Sequence, residues 1–95
     1  MNSLRRQVRS RLSIIRDVLK CVKDEGKAPI TRIMYGSRIP YDRLEPLLNE
    51  LISKNILKRI ENNGRKYYII TEKGNKLLNE IERFKNVLEK LGLEI

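Results

Sequence analysis

The sequence predicts an α+β chain, mostly α, in which a helix-turn-helix is followed by a two-stranded wing and a long last helix. Three observations predict it. Residues 31–71 read TRIMYGSRIPYDRLEPLLNELISKNILKRIENNGRKYYIIT, a short helical segment, a tight connection, a second helical segment, then two strand-like runs about an Asn-Asn-Gly turn. Leu77, Ile81, Phe84, Leu88 and Leu91 recur at spacings of four, three, four and three, the heptad seam of a coiled coil. The net charge is +9 over 95 residues, and it is unevenly spread. The pattern as a whole is that of a winged helix-turn-helix with a C-terminal coiled-coil dimerisation helix.

Size allows one domain with a single small core. We divide it into a winged-helix binding domain over 1–71, with 1–9 as a basic arm or a helical extension, and a dimerisation helix over 72–95. No apolar run approaches the roughly 20 residues that span a bilayer. The opening MNSLRRQVRSRL is too charged for a secretory core. The expected location is therefore cytoplasmic, with no membrane partner. Cys21 is the only cysteine, which excludes a disulfide within the chain. Histidine is absent, so the usual general base and the commonest metal ligand are missing. The 12 acidic residues form no pair that stands out from helix-surface background. The reading is of a protein that is not an enzyme and takes no metal or small-molecule cofactor.

The charge segregates along the chain. Residues 1–27 carry eight basic and three acidic groups, 28–55 four and three, 56–71 four and one, and 72–95 five and five. The excess sits at the N-terminus and in the hairpin, as a phosphate-facing surface requires and a uniformly solubilising one does not.

In chain order, Leu4, Val8, Leu12, Ile15, Val18, Leu19 and Val22 share one helical face. They predict a helix over about Ser10 to Asp24, ended by Gly26. Arg5, Arg9, Arg16, Lys20 and Lys23 form a basic stripe beside that face. It reads either as a phosphate contact or as the solvated flank of a helix that supports the core. Ala28-Pro29-Ile30 is an extended connector in which Ile30 forms a short strand or plug. Thr31 is the expected N-cap of the next helix, Ile33 and Met34 its inward residues, and Gly36 its left-handed stop.

The second helix of the motif follows Pro40, with Leu44, Leu47, Leu48, Leu51 and Ile52 on its apolar face. Pro46 would remove a hydrogen bond inside it. Asp42 and Glu45 have capping-box spacing, so a late start near Arg43, or a kink, is expected. Ile56–Ile60 and Lys66–Ile70 are the strands, and Asn62-Asn63-Gly64 the turn, since these residues tolerate positive φ. Thr71 caps the last helix, which runs from Glu72 to about Leu91 and extends roughly 30 Å.

Position in such a motif selects the contacts. The second helix enters the major groove by its start, which makes Arg32, Arg38, Tyr41 and Arg43 candidates, Tyr41 being equally readable as a packing residue. Lys58, Arg59, Arg65 and Lys66 would straddle a phosphate backbone or enter a minor groove, although alternation on a strand turns either Lys58 or Arg59 away. Asp42, Glu45 and Glu50 make the second helix locally acidic, so binding of low sequence specificity is expected. Leu77, Ile81, Phe84, Leu88 and Leu91 are the expected dimer seam, with packing on the first helix of the same chain as the alternative.

At Thr31-Arg32-Ile33-Met34-Tyr35, Ile39-Pro40-Tyr41 and Thr71-Glu72-Lys73-Gly74, the chain resembles small archaeal winged-helix proteins of the Sulfolobus 10a type. The resemblance covers residues 12 to 91. It implies a double-stranded DNA-binding homodimer joined by an antiparallel coiled coil of the final helices, acting in chromatin or transcription. The competing reading is a winged-helix adaptor that binds another protein.

Overall fold

The computed structural model describes residues 9–93, so all but the last residue of the arm expected over residues 1–9 lies outside the described part. Six elements follow in order: α1 (Arg11–Glu25), α2 (Ile30–Ser37), α3 (Tyr41–Ser53), β1 (Leu57–Asn62), β2 (Arg65–Ile70) and α4 (Glu72–Lys90).

Helix α1 starts where a hydroxyl can hold an otherwise unbonded amide. Ser10 Oγ accepts from the Ser13 N–H at 3.0 Å. Gly26, at φ 79°, closes the other end by donating to Val22 and Lys23 carbonyls. Val18, Leu19 and Val22 are fully buried, as the apolar spacing requires.

The connector differs from expectation. Its extended residue is Ala28, not Ile30. Ala28 and Tyr68 exchange both backbone bonds, at 3.0 and 2.8 Å, so the wing gains a one-residue third strand. Ile30 is already helical, and the N-cap is Pro29, with no side-chain bond. Thr31 therefore caps nothing. The first turn closes instead on the Pro29 carbonyl, which accepts from the Arg32 and Ile33 amides at 3.1 and 3.3 Å.

Gly36 does not stop α2. It is helical, and its bare Cα faces Cys21, whose Sγ would lie 2.6 Å from an added Cβ. The stop is Arg38, in the left-handed region at φ 58°, ψ 47°. A non-glycine residue there costs on the order of 1 kcal/mol. The closure is satisfied by Arg38 and Ile39 N–H groups, both donating to the Met34 carbonyl.

Helix α3 begins at Tyr41, immediately after Pro40, so neither the late start nor the capping box is present. Pro46 sits in the second turn. The only bond it forfeits is to the Asp42 carbonyl, and both residues lie on the exposed side, where water can take that oxygen. Leu44, Leu48 and Leu51 are buried, and Leu47 and Ile52 pack at the edge of the same cluster.

β1 and β2 pair antiparallel without a bulge, from Leu57↔Ile70 to Asn62↔Arg65. Asn63 and Gly64 connect them with φ of 53° and 77°, both positive, as a two-residue turn matched to strand twist requires.

Helix α4 is fixed at its start by two residues. Thr71 Oγ1 accepts from the Gly74 N–H at 2.9 Å and lies 2.7 Å from the Asn55 carbonyl. Gly74 is buried against the Ile56 carbonyl, which would be 2.2 Å from any Cβ. Thr-x-x-Gly thus combines a cap with a close backbone approach. Leu78 joins the core made by Leu19, Ile33, Leu44, Leu48 and Leu57.

Candidate nucleic-acid interface

The helix-turn-helix turn is three residues, Arg38, Ile39 and Pro40. Ile39 is buried and anchors it. Arg38 and Arg43 project into solvent, and neither side chain forms an ion pair or hydrogen bond among the described residues. Tyr41 opens α3 and is exposed, not packed into the core. Its hydroxyl donates to Glu45 Oε2 at 2.9 Å, a bond that pushes the phenol pKa up and keeps it a protonated donor. Arg32, on the exposed side of α2, lies 3.8 Å from Glu25.

On the wing, register divides the four basic residues into two pairs. Arg59 faces Tyr68, and Lys66 faces Glu61, so Arg59 and Lys66 share the side that rests on the domain. Lys58, opposite Ile69, and Arg65, opposite Asn62, share the other side. Arg59 Nη1 reaches Asn49 Oδ1 on α3 at 3.3 Å, which connects the wing to the second helix of the motif. Among the described residues Lys58, Arg65 and Lys66 have no ion-pair partner.

The basic stripe on α1 has a different fate. Arg9 pairs with Asp17 at 2.7 Å, and Arg16 with Asp17 at 3.1 Å and Glu82 at 3.0 Å. Lys20 pairs with Asp24 at 3.1 Å. Arg11, farther round the helix, grips Glu50 of α3 at 2.6 Å. The Glu82 hydrogen bond, above the opposing effect of burial, raises the Arg16 pKa further, and Arg11 lowers that of Glu50. Arg11 and Arg16 thereby tie α1 to α3 and α4. Of the stripe, only Lys23 has no acidic partner among the described residues, and Arg5 lies outside them. The arrangement on α1 is that of a supporting helix, while the cations of the turn and wing remain available.

The five heptad positions divide as well. Ile81 is 4% exposed and covered by its own chain, so it is not free to meet a partner, and Leu77 packs against the core. Phe84 is 50% and Leu91 68% exposed, with Leu88 half-buried between them. Val87 and Leu93 extend this apolar strip. Val87 lies three residues after Phe84 and was readable from that spacing.

Two other exposed groups carried no sequence signal. Asn49 is one, since its partner Arg59 lies ten residues on. Lys27 is another. Its ammonium sits 5.1 Å from the Tyr67 ring centroid, brought there by the Ala28 bridge. Tyr35 is 80% exposed on α2. Cys21 is half-buried, and burial, helped by Glu25 and Asp24, pushes its thiol up and keeps it neutral. No helix among the described residues is long and apolar enough to cross a membrane.

Residues 8–89 match a family model described as winged helix-turn-helix. Among solved structures, the chain is similar to Sso10a-2, a DNA-binding protein from Sulfolobus solfataricus. The two share 37% identity over 87% of this chain and 85% of that one, with a TM-score of 0.79. It is also similar to F93 from STIV, a winged-helix DNA-binding protein, at 27% identity over 81% and 90% of the two chains, with a TM-score of 0.66. A MarR family transcriptional regulator from Silicibacter pomeroyi DSS-3, SPO1453, shares the fold at 21% identity and TM-score 0.68. The match covers 84% of this chain and 57% of the regulator. Comparison with curated proteins finds no match.

Proposed function

This chain belongs to the winged helix-turn-helix family, with the archaeal DNA-binding proteins of the Sulfolobus 10a type, and from that premise we propose that it binds double-stranded DNA as a homodimer. Contacts are made mainly to phosphates, sequence preference is low, and the role is in chromatin organisation or transcription. The observation that carries this reading is the division of the cations. Arg9, Arg11, Arg16 and Lys20 are held by Asp17, Glu50, Glu82 and Asp24 of the same chain. Those at Arg38, Arg43, Lys58, Arg59, Arg65 and Lys66 are exposed on the turn, the start of α3 and the wing. Cations free of internal acids release counterions when they meet phosphates, and that release drives sequence-independent affinity.

Pairing of two chains is supported by the strip Phe84, Val87 and Leu88 of α4 with Leu91 at its C-cap, all beyond the last buried residue, Ile81. Covering one such aromatic or leucine side chain contributes on the order of 2 kcal/mol. Residues 72–95 then serve two ends. The first turns complete the binding domain, and the later ones clasp the partner. Two wings held by one dimer raise avidity on a single duplex.

One observation favours the adaptor reading. Asp42 and Glu45 lie on the exposed side of α3, where they would repel phosphate and suit a basic protein. A single experiment decides between the two. Titration of the protein onto a random-sequence duplex at two salt concentrations, beside a mass measurement in solution, gives binding that weakens steeply with salt and a mass of two chains. A protein that is paired yet ignores duplex DNA at low salt supports the adaptor.

A further inference from the structure

The contact that the DNA-binding reading leaves unused joins the segment before α1 to the helix-turn-helix turn. Arg9 Nη2 donates to the Ser37 carbonyl at 2.9 Å and lies 3.5 Å from the Arg38 carbonyl. Its Nη1 donates to Asp17 Oδ2 at 2.7 Å. The other Asp17 oxygen accepts from Arg16 Nη1 at 3.1 Å, and Arg16 Nε donates to Glu82 Oε1 at 3.0 Å. A polar chain therefore runs from α4 through α1 to the carbonyls that close α2.

Those carbonyls need an outside partner. The last oxygens of a helix have no amide of their own. Here Met34 O accepts the Arg38 and Ile39 amides, and the buried Ser37 hydroxyl returns to Ile33 O. Ser37 O is left to Arg9. The guanidinium fork is suited to hold it, because one plane of donors reaches a carboxylate on one side and a carbonyl on the other. The residue next to this clamp is Arg38, a non-glycine in the left-handed region, whose direction sets where its own guanidinium meets solvent.

We propose that Arg9, held by Asp17, is a positioning residue for DNA binding: it clamps the Ser37–Arg38 backbone so that Arg38 faces the phosphate backbone. The proposal rests on the DNA-binding reading and goes beyond it. Arg9 is committed to Asp17 and to the turn, and acts through Arg38 instead of touching DNA.

The test is a double-variant cycle on the full chain, by fluorescence anisotropy on a random duplex across a salt series. Arg9→Gln lowers affinity and reduces the slope of log Kd against log salt by about one phosphate's worth, as loss of the Arg38 contact would. In an Arg38→Ala background, Arg9→Gln then has no further effect. Arg9→Lys restores part of the loss, since an ammonium still reaches one carbonyl, and Asp17→Asn reproduces it in a chain that keeps Arg9. Thermal unfolding of each variant is followed in parallel, because simple destabilisation lowers the midpoint and the active fraction without changing the salt slope. An unchanged affinity in Arg9→Gln and Asp17→Asn, or a loss that persists in the Arg38→Ala background, overturns the proposal while wild-type binding stands. Failure of the wild type to bind removes the DNA reading itself.

Discussion

Arg59 Nη1 lies 3.3 Å from Asn49 Oδ1, so the first strand of the wing is tied to the exposed side of α3. Strand register gives the wing basics unequal positions. Arg59 and Lys66 share the side of the hairpin that meets α3, and Lys58 and Arg65 the opposite side. A duplex lying along α3 meets the first pair before the second. Arg59→Ala and Lys66→Ala should each weaken binding on every sequence alike and lower the salt slope by about one contact. Lys58→Ala and Arg65→Ala should do less. Anisotropy titrations on two unrelated duplexes check both, and a loss confined to one sequence contradicts backbone contact.

Phe84 and Ile81 are one helical turn apart and should respond in opposite ways. Phe84→Asp puts a charge into the exposed strip and should give a folded monomer by analytical ultracentrifugation. Ile81→Ala opens a cavity within the chain and should cost about 2–4 kcal/mol in urea unfolding at fixed protein concentration. A Phe84→Asp protein that stays dimeric would place the interface elsewhere.

Gly74→Ala should be more destabilising than Gly36→Ala. The Cβ at 74 meets backbone, the Ile56 carbonyl, at 2.2 Å. The Cβ at 36 meets the Sγ of Cys21, which can rotate away. The first change should cost about 1–3 kcal/mol, the range for overpacking that side-chain rotation cannot relieve. Denaturant midpoints of the two variants provide the comparison.

Cys21 should alkylate slowly near neutral pH. Its pKa is raised, by burial first and then by Glu25 and Asp24, so less of it is thiolate than in an unhindered thiol at the same pH. Rates with iodoacetamide should lag those of a cysteine peptide at pH 8 and approach them as pH rises. Reaction as fast as the peptide at pH 8 would contradict the assignment.

Much of this was legible in the sequence because it is local. The Asn63-Gly64 turn, the Thr71 cap, the apolar face of α3 and the part of the α1 face over Ile15–Val22 depend on residues within one or two turns of each other, and these were found where the pattern put them, while Leu4 and Val8 lie outside the described residues and Leu12 is only half-buried. What the pattern missed depends on distant partners. Gly36 is the conventional helix stop, yet the stop is Arg38, whose neighbouring Ser37 carbonyl is held by Arg9, 28 residues earlier. The α1 stripe reads as a phosphate surface or a solvated flank alike until Glu82 is seen to reach Arg16 from α4. Heptad spacing is the same whether a helix packs on its own domain or on a partner. Ile81 and Phe84 therefore carried one signal and have two surroundings. Pro46 is tolerated because both it and Asp42 face solvent, which spacing alone does not determine.

The salt dependence of binding to a random duplex tests the central claim most directly. Plotted as log Kd against log salt, it should be linear, with a slope magnitude above about 3 for the dimer, corresponding to more than three neutralised phosphates. It should be the same for unrelated sequences. A flat plot, or no binding in dilute salt by a protein that remains folded and dimeric, would contradict it.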